Sequence, residues 1–450
     1  MFSEIKIPAP VAEIKETLEK AGYEAYLVGG CVRDALLGLE VSDFDLTTNA
    51  KPEEIKKLFP KSRDVGKAFA VVLVNGCEVA TFRCDGTYSD HRHPDSITFA
   101  KTLEEDLSRR DFTINAMAWD GEKLIDPFGG KDDLEAKILR FVREPRERME
   151  EDPLRALRAC RFAGRLDFQI ERHSKEAIEE MRSLIDVIAP ERKRMELDKM
   201  LLGKNPERAL ALLAELGLLI FLLPELEASR GCQQLPHHPE DCFEHAVRTL
   251  KMAKKEDLSL RLACLLHDVA KPSCQTPSNR GGYTFYKHDI EAEKFLRPML
   301  ARLRYSNEIT EKVLEYAKFH MRPLLISCTM KDPALQRLMG SLEHITIRDL
   351  LRLMLCDLRG NYNYSDEPFS FTLSATRGVL SRVRKIEAEK RVLKISDLPV
   401  TGEDLIRELN LRPGPEIGQA LRFLYGLALK KPNCDREYLL RRAKSFKREG

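Results

Sequence analysis

Two sets of side chains in this 450-residue sequence have the types and spacing of reactive sites. The first lies in residues 26–48, YLVGGCVRDALLGLEVSDFDLTT. Gly29 and Gly30 close an apolar run and open a predicted helix. Glycine there lets backbone N–H groups approach a phosphate closely, and a helix start favours that anion. Arg33, on the first turn, is placed to hold a phosphate oxygen. Asp43 and Asp45 stand two apart in a predicted strand, so both project from one face. Such carboxylates repel each other unless a cation lies between them. Two divalent ions held there would activate an attacking hydroxyl and steady a leaving pyrophosphate. Alone, a GG pair fits a turn and a DxD fits a solvent-facing edge strand; in sequence, they point to a site. Glu78, in a later strand, is a candidate third carboxylate.

The second set begins beyond residue 240. It comprises His245 in FEHAVRTL, His267 and Asp268 in LACLLHDVAKP, His288 in FYKHDIEAE, His320 in KFHMRP and Asp357 in LMLCDLRG. Singly, each fits a surface or satisfied core position. A His-Asp pair inside an apolar helix is harder to place, because burying both demands partners. Mixed imidazole and carboxylate ligation suits Mn²⁺, Fe²⁺, Ni²⁺ or Mg²⁺ better than structural zinc. His237 and His238 fall in a linker and look incidental.

A third segment, EDPLRALRACRF at 151–162, bears on base choice. Cytosine and adenine both offer an exocyclic amine beside a ring-nitrogen acceptor. A carboxylate and an arginine presented together therefore prefer C and A over G and U. Asp152 and Arg155, three apart on a helix, can form that pair, with Arg158 and Arg161 continuing the stripe. On local grounds the better reading is different: Asp152 precedes Pro153 and makes a natural helix N-cap.

The elements that must position these groups change character along the chain. An amphipathic helix is expected over 11–22, then strands in YEAYLVGG, DFDLTT, AVVLVNG, EVATFRC and DSITFA. Helices are expected at Val32–Leu37 and Glu53–Leu58. After Pro145 strand signals nearly vanish and helix follows helix. The expected class is α+β: an N-terminal head with a small mixed sheet, then an all-α remainder. The expected divisions are residues 1–140, 141–235, 236–370 and 371–450, with junctions near 144–151, 229–240, 272–282 and 361–368. Net charge is only +2, but eight arginines recur between Arg140 and Arg165, where glutamates are interleaved. That run reads either as a local RNA-facing potential or as a solvated, ion-paired helix. The eleven cysteines form no CxxC pair, which fits buried reduced thiols. With no apolar run of about 20 residues and no signal-peptide core, cytoplasm is the expected location.

GGCVRD followed by DFD, RRDFTINAMA at 109–118, DPFGGKDDL at 126–134, EDPLRALRACRF and ERKRME at 191–196 resemble the class II tRNA nucleotidyltransferase and bacterial poly(A) polymerase family. The resemblance spans roughly residues 20–225. It implies that Asp43 and Asp45 bind Mg²⁺ and that Gly29, Gly30 and Arg33 meet the nucleotide phosphates. It also implies that Arg110 and Asp111 face the nucleotide, with Asp111 near the ribose hydroxyls and Asn115 close by. For Arg109–Asp111 a buried ion pair is the competing view. By resemblance, Asp152 and Arg155 act as a protein-borne template rather than a cap. The order H…HD…H…H…D resembles the HD phosphohydrolase superfamily over roughly 235–360. That implies a core metal set of His245, His267, Asp268 and Asp357, with His288 and His320 at a second ion. Within the first family, TYSDHRHPDSITF at 87–99 resembles the segment that switches specificity from C to A, with Asp90 and Arg92 as its actors. Addition of CCA to tRNA from CTP and ATP is therefore expected. CC-only or A-only addition, poly(A) synthesis and a mainly phosphohydrolytic role are the alternatives. Residues 371–450, basic in KRVLK and LLRRAKSFKRE, are expected to touch tRNA.

Overall fold

A computed structural model describes residues 5–41, 43–64, 70–86, 97–234, 240–254, 257–279, 281–322, 330–361, 367–410, 413–431 and 434–449. The segment carrying Asp90 and Arg92, and also His237 and His238, lies outside them. The chain forms two compact units, Met1–Pro224 and Glu225–Gly450.

The first unit is built on a mixed sheet. Its strands are β1 (Ala25–Val28), β2 (Asp45–Thr48), β3 (Arg63–Asp64), β4 (Val71–Val74) and β5 (Cys77–Thr81). A separate ribbon pairs β6 (Arg83–Asp85) with β7 (Ile97–Phe99), and β8 (Ala118–Trp119) and β9 (Leu124–Ile125) complete the main sheet in the order β3-β4-β5-β2-β1-β8-β9. β2 runs parallel to β5 and places Asp45 opposite Glu78; its other neighbour, β1, is antiparallel. Alternation explains β4 and β5, where Val72, Val74, Cys77 and Val79 point inward. The Ala9–Lys20 helix buries Val11, Ile14 and Leu18, a stripe of helical spacing. It starts two residues before the expected position because Pro10 is tolerated in a first turn, and it stops before Gly22, whose φ is +89°.

Two readings of this unit need adjustment. Asp43 and Phe44 precede β2, so only Asp45 of the acidic pair lies in the strand. β8 and β9 gave no sequence signal, being two residues each, too short to show alternation. The expected junction at 144–151 is occupied by the Pro145–Glu151 helix, which packs on the Arg172–Glu180 helix.

Among its described residues, the second unit has one strand pair, the short hairpin Gln275–Pro277 with Tyr283–Phe285, and its other elements are helices. The Cys242–Met252 helix packs closely on Ile347–Asn361. A Cβ at Gly360 would lie 2.5 Å from Thr249 Oγ1, so glycine is what allows that approach. The Glu367–Ala388 helix runs unbroken across the expected 370/371 division. Beyond it Leu405, Leu424, Leu439 and Ala443 build a small core. The ten described cysteines are free thiols. Among the described residues, no helix is long and apolar enough to cross a membrane.

Candidate functional sites: an arginine-lined cleft and a histidine–aspartate cluster

In the first unit, the end of β1, the start of β2 and the Leu154–Leu166 helix enclose a cleft of about 460 Å³. Gly29, Gly30, Arg33, Asp43, Asp45, Arg110, Asp111, Asn115, Arg158 and Arg161 all line it. Gly29 has φ +76°, a left-handed conformation that L side chains rarely adopt. A Cβ there would sit 2.8 Å from an Arg110 nitrogen, so the glycine makes room for that guanidinium. Gly30 opens a helix of only seven residues.

Each charged group is held by an internal partner. Arg33 is buried; its Nε donates to Asp34 Oδ1 at 2.7 Å and its Nη1 to Asn115 Oδ1 at 2.5 Å. Burial lowers its pKa, against the pull of Asp34. Asp111 is saturated: Oδ1 accepts from Phe112 N and Asn115 Nδ2, both at 2.9 Å. Its Oδ2 accepts from Arg158 Nε at 2.8 Å and Nη2 at 2.6 Å. Burial alone would raise the Asp111 pKa, but Arg158 and Asn115 bring it down to about 2. Arg161 Nε donates to Glu196 Oε2 at 2.5 Å, and Arg165 Nη2 to Asp34 Oδ2 at 2.8 Å. The Phe162 ring sits among three guanidinium groups, 5.0 Å from Arg33, 5.4 Å from Arg158 and 4.1 Å from Arg161. The result is a fixed cationic wall.

The opposite character appears at the acidic end. Asp43 is exposed and Asp45 half-buried. Burial, and then the neighbouring Glu78 and Asp43 carboxylates, raise the Asp45 pKa, while Arg110 opposes them. Asp43 and Asp45 both line this end of the cleft, and Glu78 faces Asp45 across the β2–β5 pair. Arg109 belongs elsewhere: it donates to buried Asp106 at 3.0 and 2.8 Å, so the structural ion pair in this motif is Arg109–Asp106.

Asp152 and Arg155 are not among the residues lining this cleft. Asp152 divides its carboxylate: Oδ1 accepts from Leu154 N at 3.1 Å, as a cap does, and Oδ2 from Arg192 Nη2 at 2.6 Å. Arg155 is buried, with Nη1 on Arg148 O at 2.8 Å and Glu151 Oε2 at 2.5 Å and Nη2 on Arg109 O at 3.2 Å. The local capping geometry is thus present, and the two side chains do not point jointly at the cleft.

The six candidate ligands of the second unit converge. His245, His267 and Asp357 form one ligand group and Asp268, His288 and His320 another. His245 Nε2 is 3.0 Å from Asp357 Oδ1, His267 Nε2 3.2 Å from Asp268 Oδ2, and His288 Nε2 3.2 Å from Asp268 Oδ1. The Nδ1 atoms of His267, His288 and His320 lie 3.0, 2.7 and 2.6 Å from the carbonyls of Cys264, Phe285 and Ala317. A carbonyl only accepts, so each Nδ1 carries a hydrogen and each Nε2 faces the cluster, where it can ligate an ion once it bears no proton. His288 and His320 then meet Nε2 to Nε2 at 3.1 Å, which between neutral rings sets lone pair against lone pair. A cation resolves that conflict, and the residues fit one. Burial lowers the pKa of His320. At His267 burial acts the same way, but Asp268 and Asp357 override it and lift the ring to about 10.

Several residues were not singled out from sequence. Arg165, Phe162, Asp34 and Lys199 also line the cleft. Arg165 belongs to the arginine run and Asp34 to the GGCVRD motif, though neither was assigned a role; Phe162 recurs at helical spacing with Arg158 and Arg165, and Lys199 gave no signal. Lys271 Nζ lies 2.6 Å from Asp268 Oδ2, one turn onward on the same face.

Residues 25–140 match the family described as Poly A polymerase head domain. Residues 167–229 match the Probable RNA and SrmB-binding site of polymerase A, and 242–398 the HD domain. The CCA-adding enzyme of Geobacillus sp. (strain WCH70) is 48% identical over 214 residues, 46% of this chain and 53% of that protein. That of Ligilactobacillus salivarius (strain UCC118) is 48% identical over 202 residues, 44% of this chain and 50% of that protein. The chain spans about half the length of the curated relatives it matches. The Bacillus stearothermophilus CCA-adding enzyme, solved in complex with CTP, superposes over 99% of this chain and 100% of its own, with a TM-score of 0.70 and 26% identity. The Thermotoga maritima CCA-adding enzyme complexed with tRNA shares the fold, with a TM-score of 0.59, 22% identity and 98% and 97% of the two chains covered. Matches to the Poly A polymerase head, to the RNA-binding site of polymerase A and to the HD domain thus follow one another along the chain, the first over Gly29–Asn115 of the cleft and the third over the His–Asp cluster.

Proposed function

We propose that this protein adds CCA to tRNA 3′ ends from CTP and ATP, without a nucleic-acid template, in the cytoplasm. The observation that carries this reading is the single cleft in which Asp43 and Asp45 stand opposite Arg33, Arg110, Arg158 and Arg161. Its likeness to a CTP-bound CCA-adding enzyme supports the choice of substrate. The head, residues 1–140, would hold the triphosphate, and residues 141–235 would meet the base and the RNA end.

In the reaction, the tRNA 3′ oxygen forms a bond to the α-phosphorus, the α–β bridging P–O bond breaks, and pyrophosphate departs while the hydroxyl loses its proton. Asp43 and Asp45, with Glu78 as third carboxylate, would hold Mg²⁺. When bound, that ion supplies charge neutralisation at the attacking and leaving oxygens. Arg33, Arg110, Arg158 and Arg161 bind and orient the triphosphate, and their preset ion pairs spare the reaction the cost of ordering them. Gly29 and Gly30 keep the backbone close to the phosphates, and Asp111 with Asn115 stands where ribose hydroxyls can be read. Asp152 and Arg155 would read the base once Arg192 releases the Asp152 carboxylate and Arg155 turns from Arg148, Glu151 and Arg109.

The test is incubation of the full chain with tRNA lacking its 3′ end, Mg²⁺ and each labelled nucleotide. Extension by CCA supports the proposal. CC alone, A alone or long A tails replace it with one of the narrower activities, and no extension rejects it.

A second activity is supported by the His–Asp cluster, where three Nε2 atoms and two carboxylates are aimed at common ground. We propose that His245, His267, Asp268 and Asp357 hold one divalent ion and His288 and His320 assist a second, of Mn²⁺, Ni²⁺, Fe²⁺ or Mg²⁺ type. Such ions make water nucleophilic toward phosphate esters. Hydrolysis of a 2′,3′-cyclic phosphate with Ni²⁺ or Mn²⁺ added would support it; metal binding without hydrolysis would reduce the cluster to a structural site.

A further inference from the structure

Two free thiols of the second unit lie against each other close to where the chain enters it. Cys232 follows a turn, and Cys242 is the first residue of the Cys242–Met252 helix, one turn before His245. Cys242 N donates to Cys232 O at 3.0 Å, and Gly231 N donates to Asp241 Oδ2 at 2.6 Å, so two bonds hold these stretches side by side. The two thiols also share a hydrogen bond. Backbone pairing of this kind sets Cα atoms roughly 5.5 Å apart, inside the range of about 4.4–6.8 Å that a disulfide spans. The chain need not rearrange for the two sulfurs to join.

The two sulfurs are not equivalent. Cys232 is 7% exposed and Cys242 1%. Burial raises both thiol pKa values; at Cys232 the hydrogen bond from Cys242 and the Lys271 ammonium oppose it, whereas at Cys242 the shared bond adds to the rise. Cys232 is thus both the more accessible sulfur and the better stabilised as thiolate, the form that attacks. A second pair, Cys264 and Cys356, also shares a hydrogen bond, but each of those residues lies inside a helix whose backbone is fixed on both sides. Cys232 lies outside any helix and Cys242 begins one, so their backbones can yield to the geometry of an S–S bond.

We propose that Cys232 and Cys242 form a reversible disulfide, a redox-set lock between the segment entering the second unit and the helix that bears His245. The oxidant is a small disulfide. The Cys232 thiolate attacks it and releases one thiol, leaving a mixed disulfide; the Cys242 sulfur then attacks Cys232 and releases the second thiol. One S–S bond forms for one broken, the two cysteines are oxidised, the small disulfide is reduced to two thiols, and the two cysteine protons end on them. In a reducing compartment the pair rests as dithiol and closes only under oxidation. The test is to equilibrate the full chain with oxidised glutathione, alkylate it and cleave it with trypsin. Both cysteines fall in the single peptide 231–248, which should lose two hydrogens, resist alkylation and recover both thiols with dithiothreitol. In Cys242→Ser glutathione should stay attached to Cys232, and in Cys232→Ser the buried Cys242 should take up none. The lock should raise the thermal midpoint of the oxidised second unit by at least about 4 °C and leave nucleotide incorporation unchanged. Two alkylated cysteines in that peptide of the wild type, or glutathione retained on one of them, would overturn the proposal. A midpoint that oxidation leaves unmoved would overturn the lock even with the bond formed.

Discussion

The head cleft and the His–Asp cluster solve the same problem with opposite charges. In the cleft, guanidinium groups are oriented by carboxylates and amides: Arg158 by Asp111, Arg161 by Glu196, Arg33 by Asp34 and Asn115. Their remaining donors present a positive wall to an anion. In the cluster, imidazoles are oriented by backbone carbonyls, and their Nε2 atoms and the two aspartates converge as a ligand set for a cation. The cleft is half open and polar; the cluster is buried among apolar helices. An arginine wall can wait for its ligand in water, whereas a buried ligand set is incomplete until an ion arrives. The lesson is that the cluster should depend on its ligand for stability and the cleft should not.

The largest effect that can break this contrast is at Asp45. Asp45→Ala should lower nucleotide incorporation at least about a thousandfold while leaving tRNA affinity and the thermal midpoint nearly unchanged. Retained incorporation in a single-turnover assay would end the metal role of that side chain.

Next comes the cluster. Saturation with Mn²⁺ or Ni²⁺ at about 100 times Kd should add about 2.7 kcal/mol to the stability of the second unit, and Asp268→Ala should abolish the gain without touching incorporation. The sign of the pH dependence follows from His267, raised to about 10. Its charged form stabilises the cation-free protein fully below about 6.5, the usual histidine value, and that contribution is lost as pH rises through about 10. At pH 7.5 a binding ion must therefore expel a proton, seen by calorimetry as a heat that varies with the buffer. No buffer dependence would contradict the assigned ligation.

Smaller is the effect expected at Asp111. Asp111→Asn removes the anchor of Arg158 and should cost about 2 kcal/mol and raise KM for CTP and ATP. Asp111 has a folded pKa of about 2, below an unfolded value of about 3.9. Its contribution is present above about pH 4 and is lost as pH falls through about 2, so wild type and variant should converge in acid unfolding. A constant difference down to pH 2 would refute the pairing.

Smallest is Asp152→Ala, expected to reduce discrimination against GTP and UTP about tenfold. If base choice is untouched and only the helix start is destabilised, by about 1 kcal/mol, the cap with Leu154 is its whole role.

What sequence alone determined was chemistry carried by local order. Spacing of three or four on a helix and a His-Asp dipeptide within apolar residues marked Arg158, Arg161, His267 and Asp268, because those periods follow from backbone geometry; the strand spacing that marked Asp43 and Asp45 held for Asp45 alone. The α+β head and helical remainder were legible for the same reason. Tertiary structure decided which of several acids each arginine meets. Asp34 and Arg165 are 131 positions apart, and Asp152 and Arg192 are 40 apart; no local period couples them. The turning of Arg155 toward Arg148, Glu151 and Arg109, and the meeting of His288 with His320, likewise depend on how helices pack. Side-chain direction is set by packing, and packing is a property of the whole unit.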